Sequence, residues 1–441
     1  MNNGNCWNGC ISTWRWIKDA YRSHPLIEWL KTVPDPRSER KKPHELAEVF
    51  VCIIMGLLNG KTKLRRIYRW CVRHVDDLRR HMPFENGIPS VPTMSRILAS
   101  VDEELVSYAI MNWIGEICDT RKTHLAIDGK GLRAATRRLR DERTPYILNA
   151  VDVATKLLVG QFPIPEKTNE ITAIPKLVES LNIEGSLITI DAIGTTRGIM
   201  DAIHKGSGNF LLQVKKNCPA LYGELTALFL GLEEEKERDA EGFAEKYDSI
   251  YDEAGSFERN RERYEYREYQ AFNDPSGIKA LQEERPYVKS VGYSKQTRIL
   301  KIEDEEGNDI TPLLDEFLKN GSRKQPHPVE GDALGNDIQR FGLIASIEMT
   351  AKEMMDYKRS HWAVETSLHY VLDETFGEDK STIKTGRNTM SMFRKCAYNI
   401  ARLLQMKDPK NMPNIPDVLD TICDDVEIGL KFIYEPIASL Y

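Results

Sequence analysis

Three carboxylates in this chain stand where carboxylates can do metal chemistry. His124-Leu-Ala-Ile-Asp128 is a short apolar run ending in an acid, and Ser186-Leu-Ile-Thr-Ile-Asp191 repeats the pattern. Each reads as a strand with its aspartate where the chain leaves the sheet, the open edge at which α/β folds place ligands. A single Asp there is ordinarily a turn or N-cap residue, and Asp128-Gly129 and Asp191-Ala-Ile-Gly194 suit that too. Two on strands expected to be neighbours put anions side by side, which calls for a cation. Oxygen ligands select a hard divalent ion. The third acid, Glu365, lies in Tyr357-Lys-Arg359-Ser-His361-Trp362-Ala-Val-Glu365-Thr-Ser-Leu-His369. On a helix, His361, Glu365 and His369 stack at four-residue intervals on one face, and Trp362, Leu368, Val371 and Leu372 face the core. By itself Glu365 would be a solvated charge paired with Lys358, Arg359 or His369. The histidines raise a zinc alternative, but a zincin helix has its two His four apart with Glu beside the first.

Three such carboxylates can hold two Mg²⁺ ions about 4 Å apart, with Mn²⁺ as a substitute, the arrangement that suits in-line attack on a phosphodiester. One ion activates the attacking water or hydroxyl, and the other stabilises charge on the leaving oxygen. Lys130, Lys215, Lys216, Arg359 and His361 lie close by in sequence and would neutralise phosphates. The formal net charge of −6 argues against a nucleic-acid partner. The charge is segregated, however. One basic block runs from Lys61 through Arg65, Arg66 and Arg69 to Arg80, and another from Arg121 through Lys130, Arg133, Arg137, Arg138 and Arg140 to Arg143; acid gathers at Glu233–Glu237 and Glu303–Glu306. Basic faces on a dipolar protein are compatible with double-stranded DNA. Arg65, Arg66 and Arg69 mark the expected DNA-binding face, with a plain solvated helix face the competing reading.

The elements that must position these groups fall into two styles. From about Pro25 to Asp119 the pattern is helical: Leu46, Val49, Phe50, Ile53, Ile54 and Leu57 recur at helix spacing, and Pro89-Ser90-Val-Pro92-Thr93 reads as a turn and N-cap. From His124 the order becomes three strands (His124–Asp128, Tyr146–Val153, Lys156–Ile164), a helix (Glu170–Leu181), a strand (Ser186–Asp191), a helix (Thr196–Lys205) and a strand (Asn209–Lys215). That is the order of a ribonuclease-H-like α/β core. Between Glu233 and Phe341 the rhythm breaks, with strand-like Arg263–Tyr269, Val288–Tyr293 and Thr297–Ile302 and a loop over Pro312–Leu334, giving a mainly β insertion. Long helices follow from about Thr350 and over Asn388–Met406. The expected division is an extension (1–24), a small all-helical domain (25–119), the catalytic core (120–403) with its insertion at about 217–341, and a tail (404–441).

The eight cysteines are scattered without a C-x-x-C pair, and reduced structural thiols are the expectation. The apolar run Val49–Leu58 is short for a membrane span, and the first residues lack a secretory signal, so a cytoplasmic location is expected.

Several stretches, in this order, resemble the bacterial insertion-sequence DDE transposases, in particular the branch of the H-repeat-associated proteins. They are Asp35-Pro-Arg37, Pro89-Ser90-x-x-Thr93, Ile127-Asp128-Gly-Lys130, Lys167-Thr-Asn-Glu-Ile171, Thr189-Ile-Asp191-Ala192, and Arg359-x-His361-Trp362-x-Val-Glu365-x-x-Leu368-His369-x-x-Leu372-Asp373-x-x-Phe376-x-Glu378-Asp379, with Asn399 beyond. The resemblance spans about Asp35 to Leu403. It implies that Asp128, Asp191 and Glu365 are the catalytic, metal-binding triad of an enzyme that cuts DNA at the ends of its own element. A freed 3′-hydroxyl then joins to target DNA without a covalent protein intermediate. It also implies that the helical domain helps recognise the terminal repeats, and that a homodimer or higher multimer acts on paired ends. Thr196, Thr366 and Tyr370 stand where the family usually has Gln, Asn and Trp. A catalytically silent DNA-binding descendant and a plain metal-dependent nuclease are the alternatives.

Overall fold

The computed structural model describes residues 23–38, 42–131, 146–164, 170–260, 263–282, 285, 287–299, 337–381, 383 and 385–440. The fold is mixed α/β, and the chain divides into two compact units, Met1–Ser186 with Trp362–Tyr441, and Leu187–His361.

The first unit opens with helices α1 (Leu26–Lys31), α2 (Leu46–Leu58), α3 (Leu64–Arg73), α4 (Val75–Arg79), α5 (Val91–Ser100) and α6 (Glu103–Ile117). All residues of α2 are buried. A helix apolar all round must be surrounded, and α2 is packed by α1, α3 and the later helix Arg387–Lys407, where the Phe50 and Phe393 rings lie 4.9 Å apart. Glu45 and Glu48 close its N-terminus with a reciprocal capping box. Ser90 caps α5 by accepting from the Thr93 amide, with proline in the first turn. Then come β1 (His124–Gly131), β2 (Tyr146–Asp152), β3 (Leu158–Ile164) and α7 (Glu170–Glu179). The three strands form an antiparallel sheet in the order β3-β2-β1.

The second unit contains β4 (Leu187–Ile190), α8 (Arg197–Lys205), β5 (Asn209–Val214), α9 (Pro219–Arg238), α10 (Ala240–Tyr247), β6 (Tyr251–Asn260), β7 (Arg263–Phe272), β8 (Ser290–Ile299) and β9 (Asp337–Ala345), and closes with the helix Ala351–His361. Its mixed sheet runs β4-β5-β9-β8-β7-β6, with only β4 and β5 parallel. The region expected to be mainly β therefore opens on two helices. The acid run Glu233–Glu237 belongs to α9, whose Leu221, Leu225, Phe229 and Leu232 bury one face at helical spacing. The two short strand readings at Val288 and Thr297 merge into β8. The loop over Pro312–Leu334 and the acid run Glu303–Glu306 lie outside the described residues.

Returning to the first unit, the helix Arg387–Lys407 is buried along most of its length. Its Asn399 carboxamide accepts from the Leu158 amide at 2.9 Å and donates to the Leu158 carbonyl at 2.8 Å, taking both backbone groups of one β3 residue. The expected tail forms the helices Ile415–Asp424 and Val426–Tyr434, packed on Arg387–Lys407, α1 and α2. His81 meets Glu427 there at 2.9 Å.

Candidate active-site groups

In the first unit Asp128 lies inside β1, opposite Asn149 of β2, and the strand continues to Gly131. This corrects the expectation that the chain leaves the sheet at Asp128. The reason is local: Gly129 has no side chain to collide with Tyr146, whose ring would meet a Cβ at 2.2 Å and whose hydroxyl donates to the Gly129 carbonyl at 2.7 Å. Asp128 is half-buried, with His369 Nδ1 3.6 Å from its Oδ2.

Lys130, expected to meet phosphate, is committed inside this unit. Its ammonium lies 2.5 Å from Asp373 and 3.1 Å from Glu378, and donates to the His369 carbonyl at 3.3 Å. Burial alone would raise the Glu378 carboxyl. Lys130, Lys395 and Arg394, with a hydrogen bond from Ser391, hold it below the usual range instead. Burial pulls the Lys395 ammonium down to about 7.

Glu365 is exposed, but the helix carrying it is not continuous. Ala351–His361 ends, and Val364–His369 is a π-helical turn. Wider turns break the four-residue stacking. His361 is buried, Glu365 points to solvent, and Trp362 is 38% exposed instead of facing the core. Leu368 and Leu372 are buried as expected.

In the second unit Asp191 directly follows β4 and precedes a single 3-10 turn, Ala192–Gly194, to which its side chain gives no capping bond. Its carboxylate instead accepts from Lys358 Nζ at 2.7 Å and lies 3.7 Å from His361 Nε2. Partial desolvation opposes ionisation, yet Lys358, His361 and Lys215 together hold Asp191 below the usual carboxylate range. Burial and the Lys358 charge push His361 down to about 4. It is therefore neutral at physiological pH and meets the Thr189 hydroxyl at 2.9 Å through Nδ1. The lasting positive charge on Asp191 is Lys358. The sequence offered Lys358 only as a partner for Glu365, because only the return of a distant helix onto β4 brings it to Asp191. His361, expected to meet phosphate, is buried against Thr189 and Asp191. Arg359 pairs with Glu258 at 2.8 Å, while Lys215 and Lys216 are exposed.

On α3, Leu64, Ile67, Trp70 and Cys71 are buried, and Arg65, Arg66 and Arg69 are exposed with no carboxylate paired to them among the described residues. Farther along, Arg79 and Arg80 are offset by Asp76 and Asp77. Arg133, Arg137, Arg138, Arg140 and Arg143, and Lys167 to Asn169, lie outside the described residues.

Asp128, Asp191 and Glu365 offer hard oxygen donors accessible to solvent, a donor set that fits Mg²⁺ or Mn²⁺ and not a soft ion. Among the described residues no three His, Cys, Asp or Glu side chains gather closely enough to hold a metal by themselves. A cleft of about 740 Å³ lined by α6, β3 and Trp29 contains none of the three acids and is not their site. No helix among the described residues is long and apolar enough to cross a membrane.

Residues 27–114 match the DDE_Tnp_1-associated family and residues 119–400 match the transposase DDE domain family. YbfL of Escherichia coli (strain K12) is 27% identical over 85% of this chain and 89% of its own. The H repeat-associated protein YhhI of the same strain shows the same identity and coverage. A cryo-EM structure of the piggyBac transposase synaptic complex with hairpin DNA aligns with 92% of this chain and 78% of that one at 9% identity and a TM-score of 0.38, a likeness too distant to assign the fold. The match over residues 119–400 covers well over half of the sequence and includes all three acids: the chain belongs to the transposase DDE domain family.

Proposed function

We propose that this protein cuts double-stranded DNA at the ends of its own insertion sequence and joins them to target DNA, using Asp128, Asp191 and Glu365 of a ribonuclease-H-like core as ligands for two Mg²⁺ ions. The observation that carries the reading is the family match, which spans the three acids in order; each of them is also reachable by solvent. Bound divalent ions would supply Lewis-acid activation of the attacking oxygen and stabilisation of the leaving one. The chain's own groups do the rest. Lys358 keeps Asp191 ionised and ready to ligate. Lys215 and the arginines of α3 offer positive charge to the DNA backbone. The enzyme works as a dimer or larger multimer on paired ends.

The test is cleavage of DNA carrying the element's ends in Mg²⁺ or Mn²⁺, comparing wild type with Glu365→Ala. Nicking at the end should fall by at least about a thousandfold in the variant, on the order of 4 kcal/mol in the barrier, while DNA binding persists. Equal cleavage by both proteins would remove Glu365 from the chemistry. A second reading, a silent DNA-binding descendant, draws on Thr196, Thr366 and Tyr370 at positions where the family usually has other residues. Binding without cleavage by either protein would select it. Hydrolysis without joined product would select a plain nuclease.

A further inference from the structure

A row of polar side chains crosses the first unit's sheet. In register, Asp128 of β1 stands opposite Asn149 of β2, and Asn149 opposite Gln161 of β3, so the three share one face. Asn149 is fully buried and Gln161 is 5% exposed, so neither is a solvated surface residue. Burying such amides is costly unless they are hydrogen-bonded.

The Asn149 amide has one chemically consistent orientation. Its Nδ2 lies 3.2 Å from the Ile147 carbonyl oxygen and 3.3 Å from His369 Nε2. Reversing the amide would set its oxygen against the Ile147 carbonyl, acceptor against acceptor. With the NH₂ group facing both, one hydrogen goes to Ile147 and the other to His369, and Nε2 must accept. A neutral imidazole with an accepting Nε2 carries its proton on Nδ1. Nδ1 is the atom that faces Asp128 Oδ2, at 3.6 Å.

We infer that Asn149 is a positioning residue that fixes His369 as the Nδ1–H tautomer, so that His369 presents a donor to the Asp128 carboxylate. Gln161 stands opposite Asn149 on the next strand, and its carboxamide atoms, like Asn149 Oδ1, are buried without a hydrogen-bond partner among the described residues. His369 then orients Asp128. The link to metal binding rests on the proposed role of Asp128; the tautomer does not. Partners that orient a ligating side chain are worth about 10–100-fold in metal affinity.

The experiment uses full-length protein labelled with ¹⁵N-histidine, read by long-range proton–nitrogen spectra, with the His369 signals identified by their loss in His369→Gln. Mn²⁺ binding is followed separately by electron paramagnetic resonance. In wild type, Nδ1 should be the protonated nitrogen. Asn149→Asp, which offers only acceptors, should move the proton to Nε2 and weaken Mn²⁺ binding about 10–100-fold. Asn149→Ser, the variant of choice if the aspartate does not fold, should give a mixture of tautomers. A protonated Nε2 in wild type, an unchanged tautomer in both variants, or a switched tautomer with unchanged Mn²⁺ affinity would overturn the inference. The expected tautomers in a wild-type protein that binds no Mn²⁺ would uphold the assignment to Asn149 and defeat the metal reading of Asp128.

Discussion

Lys395 shows at the residue scale how this chain uses charge away from solvent. Its ammonium is buried beside Glu378, which Lys130 and Arg394 also serve. Its folded-state value of about 7 lies below its ordinary 10.5. Below that folded value both folded and unfolded chains hold the proton, and the fold carries the full cost of the buried charge. Between it and the ordinary value only the unfolded chain stays protonated, so stability rises with pH across that window, by up to about 1.4 kcal/mol per unit. Lys395→Met should abolish this rise while leaving the protein at least as stable as wild type near pH 6. Urea denaturation at pH 6 and 9 on both proteins measures it, and an equal rise in both would show that Lys395 does not titrate. Lys358 on Asp191 is a different case, since that pair sits at an exposed carboxylate, the proposed metal ligand.

At the element scale, α3 divides its residues cleanly. Its apolar side chains seat it against α2, where Gly56 lets Ile67 approach closely. Arg65, Arg66 and Arg69 remain on the outer face with no acidic partner among the described residues. If these arginines meet phosphates, replacing all three with alanine should weaken DNA binding at every sequence alike. It should also reduce the slope of log affinity against log salt by about 3, since each lost contact removes about 0.9. Binding isotherms at several salt concentrations decide the matter, and an unchanged slope would leave α3 a solvated face. The sequence made α3 legible because its apolar positions recur at helical spacing. The π-helical turn Val364–His369 was not legible, since nothing in the residue types distinguishes it from the continuous helix their spacing suggests.

At the scale of the whole molecule, the C-terminal residues belong to the core of the first unit. Ile415, Val418, Leu419, Ile422, Leu430, Phe432 and Ile433 are all buried, and Gly429 lies against Met55 of α2. At roughly 1.5–3 kcal/mol for each large side chain, their loss is as large as the usual net stability of about 5–15 kcal/mol. A chain ending after residue 413 should therefore lack a cooperative melt and bind hydrophobic dye. A truncated protein melting at the wild-type temperature would show that these helices are dispensable.

What the sequence determined by itself follows from short-range periodicity and from residue chemistry. The buried α2, the order from β1 to β5 and the Ser90 cap were all readable, because spacing of apolar residues dictates which face is buried. Tertiary structure decided which charges are spent and which are free. Lys130 and His361 looked available for phosphate, yet Lys130 neutralises Asp373 and Glu378, and His361 is buried against Thr189. Lys358 rests on Asp191, and Asn149 faces His369. Each of these contacts joins residues far apart in the chain. A charge's availability depends on what folds against it, and local pattern carries no record of that.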